Sequence, residues 1–438
     1  MKKQKVPKKQ KAKPVKPLSG DYVEVHLSKI IYEGTLLEAP EDEKGILLLK
    51  LDSGYNIGLN KRDIVEIKLI EKAEEKEEKI EIKRQDGKPN IAMIITGGTI
   101  ASKFDAKKGG VSPLTSTQDL FKFYPELFEK VNVIKVEVPF MKDAGEMDPQ
   151  DWQKIAKVAG KLLNDSHVKG LIVTHGTDSL HYTSAALSFF LRNLTKPVVL
   201  TYSQRSIDRA SSDANLNLQC AALAASSDIA EVMIVGHGSE NDDYCLAMPG
   251  AKTRKLHSSR RDAFKPVNAE PFAKIYSDKI EIVSEHNKTK KGKVEVDIKY
   301  EDKVALIKYY PGMDPEILDY YIKKGYKGIV IEVLGLGQIA VGNSRNNWIP
   351  KIKDAQKKGI MVFATAQTIF GRVDPLVYAP GRDLMNVGVV YLEDMLSETA
   401  LIKLGWVLGH PEWAKNKDKV KEIMLTNIAR EFNDRLRE

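Results

Sequence analysis

Cysteine is scarce: Cys220 and Cys245 are the only two in 438 residues. They make neither a disulfide framework nor a zinc-ligand spacing, which points to a reducing compartment. No apolar run approaches the roughly 20 residues that a membrane-spanning helix needs. The N-terminus is lysine-rich but is followed by no apolar core segment, so a secretory signal is not expected and a cytoplasmic protein is. The 8 histidines are scattered singly, so no metal site is expected. There is no G-x-S-x-G elbow and no P-loop. Acidic residues are missing from positions 1–17, which hold eight lysines: Lys2, Lys3, Lys5, Lys8, Lys9, Lys11, Lys13 and Lys16. That number equals the chain's whole net charge of +8, so the remainder is formally neutral. The basic character belongs to a tail, which is either an RNA-contacting arm or a solubilising one.

The chain is long enough for two or three domains, and a hydrophobic fraction of 42% supplies their cores. Residues 18–72 read as short strands with tight turns: Asp21–Leu27 alternates, Ile46–Leu51 is apolar, and Ile64–Ile70 follows the turn Asp52-Ser-Gly-Tyr55. That pattern suggests a small β-barrel. Residues 73–88 are almost all charged and read as a linker. From 89 onward, strand and helix patterns alternate, which implies parallel α/β sheets. Strands are expected at 91–95, 131–138, 170–174, 197–202 and 230–235, with helices at 116–129, 149–164, 178–193 and 210–226. Asp148-Pro149 reads as an N-cap followed by proline at the first helical position. Residues 286–302 are polar and read as a second linker. The large α/β domain thus spans 89–290, and a smaller one, at 303–438, has strands near 304–309, 328–334 and 360–365.

In parallel sheets the chemistry gathers at the C-terminal ends of strands. Two such ends resemble each other. The apolar run Ile91–Ile95 enters Thr96-Gly-Gly-Thr99, and Gly170–Val173 enters Thr174-His-Gly-Thr-Asp-Ser179. A buried strand that ends in a Gly-rich turn such as Gly97–Gly98 is a natural oxyanion cradle. A threonine there becomes a nucleophile only if a base takes its proton. His175 and His181 are candidate bases, and a lysine held by Asp178 is another. The basic stretch Lys252–Phe264 contains several further candidates. Taken alone, the first turn reads as an ordinary strand-to-loop junction with Thr as a turn residue.

Taken together, Thr96-Gly-Gly-Thr-Ile100 and His175-Gly-Thr-Asp178 resemble the signature pair of the asparaginase and glutaminase family, over about residues 90–410. Within that family, the D-subunit branch of archaeal glutamyl-tRNA(Gln) amidotransferases is the more similar. The stretches that carry this are Ser203–Ala214, Arg254–Phe264, Gly371-Arg-Val-Asp374, Glu393–Leu396 and Trp406–His410, together with the N-terminal barrel. The resemblance implies two asparaginase-type parallel-sheet α/β domains and four catalytic groups. Thr99 matches the nucleophile; Thr177, Asp178 and Lys255 match a proton relay. Gly97 and Gly98 form the oxyanion turn, and Gln338 and Glu146 are candidate substrate contacts. It also implies glutaminase activity that feeds ammonia to an E-type partner subunit, which converts Glu-tRNA(Gln) to Gln-tRNA(Gln). No cofactor is expected in this chain; ATP and Mg belong to the partner. A homodimer within a heterotetramer is expected. The chain departs from free asparaginases at Ser112, where many carry tyrosine, and at Ala144, where their carboxylate loop has serine.

Two alternatives stay open: a free L-asparaginase with an added barrel, and a non-catalytic RNA- or partner-binding scaffold. Other signals fail. Gly335-Leu-Gly-Gln-Ile-Ala340 formally fits the dinucleotide fingerprint. The acid that follows at a suitable interval, Asp354, falls inside an expected helix at 344–358, where it cannot meet a ribose. His237 and His257 read as structural or solvated, and Arg260 and Arg261 as RNA-binding or structural.

Overall fold

The computed structural model describes residues 16–37, 45–72, 85–105, 110–113, 120, 122–207, 209 and 211–435, without the side chains of 102–105 and 110–113. The lysine tail up to residue 15 and linker residues 73–84 lie outside the described residues. The chain forms two compact units.

The first unit is built on a five-stranded antiparallel sheet. Strand Tyr22–Leu27 sits between Ile31–Leu37 and Ile64–Glu71, while Ile46–Lys50 and Asn56–Asn60 extend the other side. Alternation puts Val23, Val25, Leu47, Leu49 and Leu59 on one buried face. The edge strands are joined by the 3-10 turn Lys61–Asp63, so the sheet curls, but no ladder joins its edges among the described residues. This is the small strand-built domain expected at 18–72.

The second unit holds both α/β sheets. The larger has eight strands. Asn132–Glu137, Asn90–Ile95, Gly170–Thr174, Val198–Thr201 and Val232–His237 are parallel neighbours in that order. Three antiparallel strands, Cys245–Pro249, Ala273–Ile275 and Ile280–Ile282, then extend the sheet, so it is mixed rather than wholly parallel. The parallel strands are covered on both faces, which is why they read as unbroken apolar runs. Ala92 and Ile94 face the layer of helices Pro149–Leu163 and Leu180–Phe190, while Ile91, Met93 and Ile95 face the layer of Ala214–Ser226. Asp148 caps the first of these helices by accepting from the N–H groups of Gln150 and Asp151 at 2.8 and 3.2 Å.

The second expected linker is not free-running. Glu295–Val296 pairs with Leu191–Arg192, and Asn164 exchanges two hydrogen bonds with Val294, whose side chain is buried. The smaller sheet has four parallel strands, Val304–Lys308, Gly328–Val333, Met361–Ala366 and Val390–Tyr391. Helix Ser397–Leu408 packs between the two sheets' layers, with Trp406 stacked on Phe189. Asp354 is exposed on helix Ile349–Lys357, far from the role a dinucleotide site would require.

Two histidines are walled into the second unit. His175 is fully buried; its Nδ1 donates to the Gly176 carbonyl at 2.7 Å and its Nε2 meets Thr183 Oγ1 at 2.8 Å. Burial pushes its pKa down to about 4. His181 is pushed down to about 3, chiefly by burial and then by the nearby charges of Arg254 and Lys255. Both imidazoles are therefore neutral near pH 7. An unfolded imidazole titrates near 6.5, so between that pH and the folded values the unfolded chain binds protons that the fold refuses. Their contribution is complete above pH 6.5 and is lost as the pH falls toward 4. Lowering the pH from 7.5 to 5 should cost about 2 kcal/mol per histidine, read from urea midpoints. In His181→Leu the pH dependence should shrink by roughly half; an unchanged slope would contradict the assignment.

Candidate active site

The site starts from strand register. Asn90–Ile95 and Gly170–Thr174 are adjacent and parallel, with Ile95 opposite Thr174. The turns that follow them therefore leave the sheet side by side. Thr96 seals the seam: its Oγ1 donates to the Thr174 carbonyl at 2.9 Å, which occupies that hydroxyl structurally. Gly97 and Gly98 take positive φ values of 129° and 80°. A Cβ on Gly98 would lie 2.6 Å from the Cα and N of Gly176, and one on Gly97 would lie 2.3 Å from the Lys142 carbonyl oxygen. Neither position accepts a side chain. Thr99 then opens the 3-10 turn Thr99–Ala101 and is half-buried.

A third loop closes the same corner. Lys142 N–H donates to the Thr96 carbonyl at 3.0 Å, and the 3-10 turn Ala144–Glu146 follows. Ala144 is buried, and the Ser179 hydroxyl donates to its carbonyl at 2.5 Å. The position that the resemblance matches to a carboxylate-binding serine is thus an inward-packed methyl group. Glu146 is exposed at the end of that turn. Ser112 lies on the strand Gly110–Pro113.

The basic stretch forms a hairpin. Thr253–Lys255 pairs with Phe264–Pro266, with Lys255 opposite Phe264. Lys255 reaches back to the second turn: its Nζ lies 2.8 Å from Thr177 Oγ1 and 2.9 Å from Asp178 Oδ1. Its side chain is 12% exposed, while that of Asp178 is 69% exposed. Lys252, the other candidate, is 1% exposed and donates to both the carbonyl and the carboxylate of Asp394 at 2.8 Å. Burial pushes its pKa down, with Asp394 opposing. Lys252 is committed to the small domain and cannot serve Thr177.

The structure thus joins Thr177, Asp178 and Lys255 by direct contacts and sets the Thr99 turn against Gly176. It does not join Glu146 or Gln338 to that cluster by any hydrogen bond or ion pair among the described residues. Gln338 sits in the tight turn after Gly328–Val333, and its Nε2 is buried without a partner among those residues. Neither histidine bonds to Thr99 or Thr177 among the described residues: burial makes both weak bases, and His175 has both nitrogens occupied by Gly176 and Thr183. Arg260 and Arg261 are paired with Asp262 and Asp242, and His237 bridges Asn217 and Asp242. Sequence reasoning missed Arg254 and Glu398, an ion pair at 3.0 Å beside Lys255. The signal for it was strand alternation, which places residues 254 and 255 on opposite faces once the hairpin is seen.

Three family models match the chain. They are "Asparaginase, N-terminal" at 90–288, "Glutaminase/Asparaginase C-terminal domain" at 303–424 and "GatD N-terminal domain" at 18–70. The D subunit of glutamyl-tRNA(Gln) amidotransferase from Pyrococcus furiosus is 48% identical over 423 residues, covering 94% of each chain. That of Thermococcus kodakarensis is 47% identical over 411 residues, covering 92% of this chain and 91% of the relative. The corresponding protein of Sulfolobus acidocaldarius is 41% identical over 417 residues, covering 94% and 91%. Among solved structures, the thermostable L-asparaginase from Thermococcus kodakarensis superposes with a TM-score of 0.69 at 29% identity, covering 79% of this chain and all of that one. L-asparaginase I from Vibrio cholerae shares the fold, with a TM-score of 0.64 at 24% identity over 79% of this chain. With its two asparaginase-type domains preceded by the matching N-terminal domain, the chain belongs to the family of glutamyl-tRNA(Gln) amidotransferase D subunits.

Proposed function

We propose that the chain is the glutaminase subunit of a tRNA-dependent amidotransferase, and that Thr99, Thr177, Asp178 and Lys255 carry its chemistry. The observation that bears most weight is Lys255 Nζ held between Thr177 and Asp178 at 2.8 and 2.9 Å. Thr99 Oγ1 attacks the side-chain amide carbon of glutamine, and N–H groups of the Gly97–Gly98 turn take the charge that develops on oxygen. The Thr177–Lys255–Asp178 relay takes up the Thr99 hydroxyl proton as the C–O bond forms and returns one to the leaving nitrogen as the C–N bond breaks, so that ammonia departs. Water then cleaves the Thr99 ester and releases glutamate.

Ammonia released into bulk water would be lost to the synthetic step, so the reading includes a channel to an E-type subunit. That partner binds ATP and Mg and acts on Glu-tRNA(Gln); this chain needs no cofactor of its own. The setting is the cytoplasm, alongside translation. The chain pairs with a second copy, giving a homodimer within a heterotetramer. Support comes from the small domain, where Tyr310, Leu336, Ile369, Phe370, Leu376 and Tyr378 are exposed in loops that follow its parallel strands. Apolar surface of this kind marks a protein contact.

Free L-asparaginase activity is the second reading, supported by the superposition on a whole L-asparaginase. The buried Ala144 in place of a carboxylate-binding serine weighs against it. Assays of the isolated chain and of the complex on both amides separate the two. Robust asparagine turnover without partner or tRNA would overturn the amidotransferase reading.

In the complex with its partner and Glu-tRNA(Gln), Thr177→Ala and Lys255→Met should each lower glutamine-dependent kcat by about 100-fold or more, with transamidation from added ammonium salts retained. Loss of both activities together would point instead to a damaged assembly. Gly98→Ala forces the two turns apart and should lower kcat by roughly 10- to 100-fold. Gly45→Ala, whose new methyl meets nothing within 4 Å, is its control.

A further inference from the structure

The segment that leads to Lys255 is fastened to the small domain through Ala251, Lys252 and Arg254. The Ala251 carbonyl accepts from the Thr399 hydroxyl at 2.8 Å. Lys252 is buried against Asp394. Thr253 folds back onto the Pro249 carbonyl at 2.7 Å. Arg254 pairs through Nε with Glu398 Oε1 at 3.0 Å. The next residue, Lys255, turns the other way and meets Thr177 and Asp178. Glu398 lies in the first turn of helix Ser397–Leu408 and is only 6% exposed, so it is fixed where it stands. Ser397 beside it donates to Glu332, at the end of strand Gly328–Val333, at 2.6 Å.

The contacts at 251 and 252 already hold the hairpin to the fold. The pair at 254 does something they cannot. On a strand, neighbouring side chains project to opposite faces, so clamping Arg254 on one face fixes the rotation of the backbone and hence the direction of Lys255 on the other. A long lysine stem aimed from an unclamped strand would sample many rotamers, and small misplacements of a proton-transfer group cost large factors in rate. We propose that Glu398 of the small domain is a positioning residue for Lys255, acting through Arg254. The inference rests on the glutaminase reading above, in which Lys255 belongs to the relay.

The test measures glutamine hydrolysis by the assembled complex with Glu-tRNA(Gln), together with thermal unfolding. Glu398→Ala and Arg254→Met should each lower kcat roughly 10-fold or more, with KM changed less than about threefold. The double variant should be no worse than either single one, because both remove the same clamp. Glu398→Gln keeps an acceptor oxygen for Arg254 and should recover most of the kcat lost in Glu398→Ala. Multiplicative losses in the double variant, or kcat falling only in step with thermal stability, would overturn the proposal. So would a failure of Glu398→Gln to rescue. If Lys255→Met loses activity while Glu398→Ala and Arg254→Met do not, the positioning role falls and the relay stands. If Lys255→Met keeps full activity, both fall.

Discussion

The arrangement depends on a backbone contact that leaves no room for a single methyl group. Gly98 lies against Gly176 so closely that a Cβ would sit 2.6 Å from backbone atoms. That approach is possible only because the two strands beneath are parallel neighbours in register, with Ile95 opposite Thr174. It brings the Thr99 turn and the Thr177 turn onto one rim. The third loop presses in on the same terms, since a Cβ on Gly176 would lie 2.7 Å from Ala144 Cβ and one on Gly97 would strike the Lys142 carbonyl. The cradle is thus made of backbone and small side chains. Only the lysine enters from elsewhere.

Burial decides which basic group is usable. The histidines lie closest in sequence to the second threonine, yet desolvation holds both neutral well below physiological pH. Lys252 and Lys255 are three positions apart on one hairpin but live in different environments. Lys252 is enclosed by a carboxylate and a carbonyl of Asp394 and contributes to domain docking. Lys255 keeps partial access to solvent and faces a carboxylate that is itself mostly exposed. The relay proposed for Lys255 calls for the second environment, in which a proton can be exchanged with substrate.

What was legible in the sequence follows the same physics. Strands buried on both faces, such as Gly170–Thr174, announce themselves as short apolar runs, and the turns after them carry a Gly-Gly or Gly-Thr-Asp pattern. The lysine hairpin was not legible as a hairpin, because its strands are only three residues long and carry Thr253, Arg254 and Lys255. Nothing in local periodicity separates that from a basic loop. The antiparallel extension of the large sheet was hidden for the same reason: Ala273–Ile275 and Ile280–Ile282 are too short to alternate convincingly. The second linker looked solvated because its anchoring runs through one buried valine and backbone bonds to Asn164, which composition does not register. Lys252 and Lys255 were separable only by family resemblance; their difference lies in the small domain, more than 130 residues further along the chain.

The site is therefore assembled from both halves of the second unit. The large domain supplies the cradle at its strand ends, and the small domain holds the strand that delivers the lysine. These roles meet at one helix terminus. Glu332 ends a central strand of the small sheet and accepts from Ser397; the next residue, Glu398, holds Arg254, and Lys255 follows. The exposed apolar loops of the small domain follow the ends of the same parallel sheet. The rim of that sheet and Lys255 are thus linked through close-packed contacts rather than through flexible loops. A free amidohydrolase gains nothing from such a connection. A subunit that must release ammonia only when its partner is ready to receive it has a use for one.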